Sequence, residues 1–348
     1  MKLGVLPESM VERVGLWFGL VPRALLETQI AAVLARSIAV GVKLGLFECL
    51  REGALTQAEI AARCGVDPAA AALLLDALAA CGHLAISKGR YDLTQQSRKW
   101  LLHESPTSIR DMILLQTVEW DWLAQLEAFV RTGQPIDFHA TMSDDDRNLY
   151  HRAMRALAGI GGPEVGRRTP TPKGAKSMLD LGGSHGHFAA EICRRRPNLR
   201  AQVLDLPDAI EWAAPLLAAE SMGDRVVHIA GDVLDFELGT ERYDLIFMSN
   251  LAHHLDGREN QALAIRVARA LRPRGVFVIQ ELVRPVRPEQ RGQAGTLLGL
   301  YFALQSRPNV HTWTVAEMAD WQARAGLRPA SPIRLRTAPG WVQQVGHR

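Results

Sequence analysis

The period of apolar positions changes near the middle of this chain and separates two kinds of architecture. Upstream, apolar residues recur every three to four positions over 31–46, 120–130 and 147–160, the spacing that lines one face of a helix. Downstream, short apolar runs bounded by Gly, Pro and Asp alternate with helical stretches. Strands are expected at 178–181, 203–205, 226–230, 245–249 and 276–281, with a final antiparallel pair near 334–336 and 342–345. That alternation predicts a doubly wound α/β sheet with helices on both faces.

Local punctuation refines the first half. Thr56-Gln-Ala-Glu59 is a capping box that opens a helix through Arg63. Asp67-Pro68 places a cap and a first-turn proline before a helix ending at Ala80, and Gly82 stops it. Residues 83–93 then read as two strands joined by a Lys88-Gly89 turn, completing a winged helix-turn-helix. The mixture of Gly, Pro, Thr and basic residues over 161–176 predicts a linker. The expected organisation is a mainly helical winged-helix domain over 1–105, connecting helices and linker over 106–176, and an α/β domain over 177–348.

Composition narrows the function classes. The 348 residues are 47% hydrophobic and carry a formal net charge of +3, so a sizeable core is available and no basic run argues for nucleic acid. A DNA-binding regulator is nevertheless a rival reading of the winged helix. Its recognition helix would be Ala-Ala-Ala-Ala-Leu-Leu-Leu-Asp-Ala-Leu, without an Arg, Lys, Asn or Gln to reach bases or phosphates, and such a helix is built for burial. Cys49, Cys64, Cys81 and Cys193 are scattered without a Cys-x-x-Cys pair and are expected as reduced core thiols of a cytoplasmic protein. Arg23, Glu27, Arg36 and Lys43 interrupt the apolar stretch over 14–50 short of a membrane span, and no signal peptide pattern precedes it.

The stretch Asp180-Leu-Gly-Gly-Ser-His-Gly186 carries the chemistry. A strand ends in an acid, and Gly182, Gly183 and Gly186 leave the main chain open to a ligand. Ser184 and His187 stand where a dinucleotide fingerprint needs glycine, and no Gly-Lys-Ser/Thr closes a triphosphate cradle. A ligand with ribose and adenine but no pyrophosphate remains. Asp205, ending the next strand, is placed to accept both ribose hydroxyls, and Asp232, ending the third, to take the adenine amino group.

These motifs, with Leu204-Asp-Leu-Pro207, Gly231-Asp232 and Leu271-Arg-Pro-Arg-Gly275, resemble the class I S-adenosylmethionine-dependent methyltransferases. More narrowly, from about Ala31 onward the chain is similar to the two-domain small-molecule O-methyltransferases typified by plant caffeate and bacterial polyketide-tailoring enzymes. The resemblance implies a Rossmann-like sheet of seven strands, an N-terminal winged-helix domain that forms an intertwined homodimer, and S-adenosyl-L-methionine as cofactor. Residues matching Gly183, Asp205, Leu206, Asp232 and Val233 surround the cofactor in that family, while Ser249 replaces a Lys found in many plant members.

The same resemblance places His253 as general base, Glu281 as the carboxylate that orients it, and His311 as the nearest polar group to Thr312, where a second family carboxylate is missing. Met154, Asn250, Leu298 and Phe302 fall at substrate-contacting positions, with Trp120 and Trp122 as candidate roof residues and no metal ligand required. The expected activity is methyl transfer to a hydroxyl of a small aromatic or polyketide-like metabolite. Two catalytic alternatives stay open: metal assistance through His253, His254, Glu281 and His311, and proximity alone, as in C- or N-methyl transfer.

Overall fold

Two compact units, Met1–Val118 and Glu119–Arg348, emerge from the residue contacts of the computed structural model, which describes residues 4–348 apart from 291 and 309. In the first unit, α1 (Ala31–Lys43) continues a helical run from Arg23 that contains a π turn at Leu26–Ile30. It leads to β1 (Leu55–Thr56), α2 (Gln57–Cys64), α3 (Pro68–Ala80), β2 (Leu84–Ser87) and β3 (Arg90–Leu93). The capping box is present, with the Thr56 side chain and Glu59 serving each other's backbone N–H groups. Lys88 and Gly89 both take positive φ, 50° and 74°, as a tight hairpin turn requires. The strands pair in the order β1-β3-β2, and the Tyr91 hydroxyl donates to Asp76 at 2.6 Å, tying the wing to α3. Leu46, Phe47, Leu50, Ile60, Leu75 and Leu78 form the buried core of this winged helix.

Two expectations change here. Among the described residues the run Arg23–Lys43 has 21 residues and contains an 18-residue stretch of mean hydropathy 1.5, long and apolar enough by length and composition to cross a membrane. The expected interruption by charge fails because Arg23 and Lys43 lie at the ends of the run and leave Glu27 and Arg36 as the charges inside it; Ile30 and Val33 are exposed in the single chain. Cys81 is exposed rather than a core thiol, since it caps the end of α3.

The second unit begins its long helix α4 (Asp144–Arg168) with another capping box at Ser143. The segment expected as a linker from 161 is helical through Arg168. Its glycines serve close packing: a Cβ at Gly162 would lie 2.3 Å from His187 Nε2, and one at Gly166 would lie 2.5 Å from the Glu191 carbonyl. Gly162 and Gly166, one turn apart, thus let α4 approach α5 (His187–Arg194).

The sheet of this unit comprises β4 (Ser177–Leu181), β5 (Arg200–Asp205), β6 (Val226–Ala230), β7 (Tyr243–Ser249), β8 (Leu271–Leu282), β9 (Arg328–Pro329), β10 (Ile333–Arg334) and β11 (Trp341–His347). Seven of these strands run in the order β10-β11-β8-β7-β4-β5-β6, and β9 adds a short pairing to β11. β4 to β8 pair in parallel, whereas β11 is antiparallel to β8. Alternate residues enter opposite cores: Leu245 and Phe247 of β7 join one, Ile246 and Met248 the other. Helices α6 (Pro207–Ala219), α7 (Gly257–Ala270), α8 (Gln293–Gln305) and α9 (Val315–Arg324) belong to this unit, as do the short helices Leu126–Thr132 and Phe138–Thr141. Strand order reverses at β4, whose two neighbours are β5 and β7, so a crevice opens beyond its carboxyl end.

Glu164 on α4 anchors the C-terminal strands. It is 3% exposed and accepts from the backbone N–H groups of Arg336 (2.9 Å) and Thr337 (2.7 Å), the Thr337 hydroxyl (2.7 Å) and Arg168 (2.8 Å). Burial alone pushes the carboxyl upward, but these donors outweigh it and hold the pKa down to about 2. Its folded value lies below its ordinary 4.5, so the ionised group stabilises the fold fully above that pH and the contribution fades as pH falls toward 2. In urea unfolding, Glu164→Gln is expected to cost roughly 1–3 kcal/mol at pH 7. The deficit should shrink below about pH 4; equal deficits at both ends would remove the carboxylate from this role.

Candidate active site

The glycine turn leaves β4 at the crevice. Gly182 has a φ of 63° and Gly186, the N-cap of α5, one of 66°. A Cβ at Gly183 would lie 2.6 Å from the Asp180 carboxylate and 2.7 Å from Val203, and one at Gly186 would lie 2.6 Å from Leu217. The turn therefore packs as tightly against its own sheet as backbone allows. Asp180 sits beneath it, 1% exposed, with Oδ1 lacking any partner, and burial together with the Asp205 charge raises its pKa well above the usual range.

Asp205 at the end of β5 accepts the Ser184 N–H at 2.7 Å on Oδ2 and the Leu206 N–H at 2.8 Å on Oδ1. Burial raises its pKa, partly opposed by those two N–H groups and by His228. Asp232 accepts the Leu234 N–H at 2.9 Å, and the turn it forms is closed by Gly231, where a Cβ would lie 2.4 Å from Phe236. Gly182, Asp205, Leu206, Asp232 and Val233 come together along one cavity of ≈170 Å³, with Leu251, His254 and Arg307 among its other lining residues. A larger, more open groove of ≈330 Å³ lies among α7 and α9 residues such as Gln261 and Trp321 and holds none of the expected site residues.

The cavity's chemistry suits a nucleoside without phosphates. Two carboxylates line it and would repel a polyphosphate, yet they can accept from ribose hydroxyls and an exocyclic amine, and half-exposed Leu206 offers apolar surface to a base. Asp180, Gly183 and Gly186 stand behind this wall as structural support. Ser249 turns elsewhere, accepting from Gln280 Nε2 at 2.9 Å.

Opposite the turn, Ala252–His254 forms one 3₁₀ turn after β7. Glu281 of β8, 1% exposed, accepts the Ala252 N–H at 2.7 Å on Oε1 and pairs with His253 Nδ1 at 2.9 Å on Oε2. A carboxylate accepts, so Nδ1–H donates and Nε2 keeps its lone pair. Phe302 of α8 stacks on the His253 ring at 4.7 Å and 7°, and the His254 ring lies 4.4 Å away. The backbone of this turn is held as firmly: Ser306 Oγ donates to the His253 carbonyl at 3.0 Å, and Trp313 Nε1 and Asn260 Nδ2 donate to that of Ala252 at 2.7 and 3.0 Å.

The other expected residues divide. Leu298 lies one turn before Phe302 on α8 and shares its face. Met154 is half-buried on α4. Asn250 takes a left-handed φ of 54° and accepts from Trp341 Nε1 at 2.8 Å. His311 pairs its Nδ1 with the Thr312 carbonyl at 3.1 Å and lies 4.5 Å from the Trp313 ring, so its recorded contacts are there and not with His253 or Glu281. Trp122 is buried against Phe138 at 5.1 Å. Among the described residues no group of three or more His, Cys, Asp or Glu side chains is arranged to hold a metal ion.

Sequence reading missed Ser306, Asn260 and Trp313, which carry no local signal because each reaches the turn from a different helix or loop. It also missed His151 and His228, which converge on Ser184.

Comparison with known proteins adds an independent line. A family model for the O-methyltransferase domain matches residues 121–328, and one for the O-methyltransferase dimerisation domain matches residues 27–103. The 3-hydroxy-5-methyl-1-naphthoate 3-O-methyltransferase of Streptomyces sahachiroi is 28% identical over 321 residues, covering 88% of this chain and 89% of its own. The N,N-dimethyltransferase OxyT of Streptomyces rimosus is 24% identical over 272 residues, covering 75% and 78%. Among solved structures, human N-acetylserotonin methyltransferase in complex with SAM superposes with a TM-score of 0.82 at 20% identity, covering 99% of both chains. An O-methyltransferase family protein from Burkholderia thailandensis does so at 0.80 and 23%, again over 99% of each. At these identities the solved structures establish the shared fold.

The raised pKa of Asp205 brings its protonation to higher pH than for an ordinary aspartate, and a carboxylate that accepts two hydroxyls has to be ionised. Calorimetric titration with S-adenosylhomocysteine is expected to weaken as pH falls through that raised value. Asp205→Asn should lose roughly 10- to 100-fold in affinity at neutral pH and flatten the acid-side dependence. Unchanged binding by the variant would exclude Asp205 from ligand contact.

Proposed function

The chain belongs to the O-methyltransferase family, and from that premise we propose that it uses S-adenosyl-L-methionine to methylate a hydroxyl of a small aromatic or polyketide-like metabolite, with His253 as general base. The observation that carries this reading is the buried His253–Glu281 pair beside an acid-lined cavity at the strand ends. When bound, the donor supplies an electrophilic methyl group on a sulfonium. Gly182, Asp205, Leu206, Asp232 and Val233 would hold its adenosine, through the carboxylates and open backbone described above.

The protein's own part is proton management. Nε2 of His253 has no hydrogen-bond partner among the described residues and takes the acceptor's hydroxyl proton as the oxygen attacks. The charge that then spreads over the ring lies 2.9 Å from the Glu281 carboxylate, which stabilises imidazolium and keeps the ring from turning. Phe302, stacked on the same ring, offers an aromatic wall suited to a flat acceptor. The Streptomyces sahachiroi relative is named for a naphthoate, which supports that acceptor class.

We also infer a homodimer built through the N-terminal unit. The dimerisation-domain match over 27–103 supports it, as do Ile30 and Val33, left exposed in the single chain. A nitrogen acceptor is the second reading, supported by the name of the N,N-dimethyltransferase relative.

His253→Ala and His253→Gln are each expected to keep S-adenosylhomocysteine affinity and to lower methyl transfer to phenolic acceptors by roughly 10²–10⁴. Product formation from labelled donor with a panel of naphthols, phenols and aryl amines measures this. Full turnover by either variant would leave positioning as the only source of rate, and transfer confined to amines would select the second reading.

A further inference from the structure

Ser184 occupies the tightest point of the glycine turn with a φ of 42°, a left-handed conformation that side-chain-bearing residues rarely adopt. Each of its polar groups is held by a different element. The N–H donates to Asp205 Oδ2 on β5 at 2.7 Å, and the hydroxyl meets His151 Nδ1 on α4 at 3.0 Å. The carbonyl lies 2.7 Å from His228 Nε2 on β6. A carbonyl can only accept, so Nε2 of His228 carries the hydrogen and donates it. Neither His228 nor His151 is among the residues that line the cavity, whereas Asp205 is.

This arrangement links His228 to Asp205 through the backbone of one residue, Ser184. The Ser184 N–H occupies one lone-pair direction of Oδ2, so the attitude of the turn decides which way the carboxylate presents its remaining lone pairs. A glycine at this position would adopt the turn without strain; serine needs something to hold it there. The pinned carbonyl supplies that hold. We propose that His228 is a positioning residue for the methyl donor: its Nε2–H locks the left-handed Ser184 turn and thereby orients Asp205 toward the ribose. The proposal rests on the donor-binding reading above.

The dependence of His228 on Ser184's conformation is the distinguishing feature, and a double-mutant cycle isolates it. The measurements are S-adenosylhomocysteine affinity by calorimetry, donor KM and kcat, and thermal melting of each variant. His228→Leu is expected to weaken binding about tenfold and raise donor KM, with kcat nearly unchanged because His253 is untouched. His228→Gln, whose amide can donate to the same carbonyl, should recover most of the loss. Ser184→Gly alone should bind nearly as the native chain does, and in that background His228→Leu should cost little. If His228→Leu does not fold, His228→Met, which also lacks a donor, carries the same comparison in both backgrounds. An equal loss with serine and with glycine, or no loss at all, overturns the proposal while leaving the functional reading intact. Failure of the native chain to bind S-adenosylhomocysteine would overturn both.

Discussion

Between β4 and β7 the order of the parallel strands reverses, and the helices that follow them leave toward opposite faces of the sheet. The crevice can be used only if its floor is backbone, because side chains on both flanks are already packed: a Cβ at Gly182 would touch Leu251 at 3.0 Å, and one at Gly183 would overlap the Asp180 carboxylate. Two walls, the glycine turn after β4 and the histidine turn after β7, meet across this gap. Each needs its polar backbone satisfied from outside the local segment, and that need explains much of the surrounding polar architecture.

Buried charge serves the same end. Glu220 lies within hydrogen-bonding distance of Arg155 Nε (2.6 Å), Arg194 Nη2 (2.7 Å) and His187 Nδ1 (2.8 Å). Burial pushes its pKa upward, but these partners bring it down to about 2. The group joins the start of α5, directly after the glycine turn, to α4 and to the end of α6. Glu281 acts similarly on the opposite wall, since one oxygen holds the Ala252 backbone while the other faces the His253 ring. In both places one buried carboxylate pairs with an imidazole that adjoins a turn. A buried carboxylate left without such donors would be costly, so these partners are requirements of the fold as well as of the site. Asp180, by contrast, has no donor for Oδ1, and burial raises its pKa well above the usual range.

Much of the local structure was legible before any coordinates. The Thr56–Glu59 capping box, the Lys88-Gly89 hairpin and the carboxylates ending β5 and β6 lie where neighbouring residues place them. The mixture of Gly, Pro, Thr and basic residues from Gly161 points to a linker, yet the segment is helical through Arg168. There glycine is a packing residue: Gly162 and Gly166 admit His187 and the Glu191 backbone at distances no Cβ permits. Ser249 and Asn250 were placed at the right strand end, yet their side chains turn to Gln280 and Trp341, which become their neighbours only when β8 and β11 pair beside β7.

From the order of its residues this chain specified a parallel sheet, a glycine turn after an acid-bearing strand and a histidine at the opposing strand end. Strand period, capping and positive φ are preferences of a residue and its near neighbours, so they can be read along one dimension. The tertiary structure alone chose the partners: Glu281 for His253 across 28 positions, His228 for Ser184 across 44, and Glu164 for Thr337 across 173. Those choices depend on which side chains close packing brings within 3 Å, and many sequences with the same local pattern would bring together different ones.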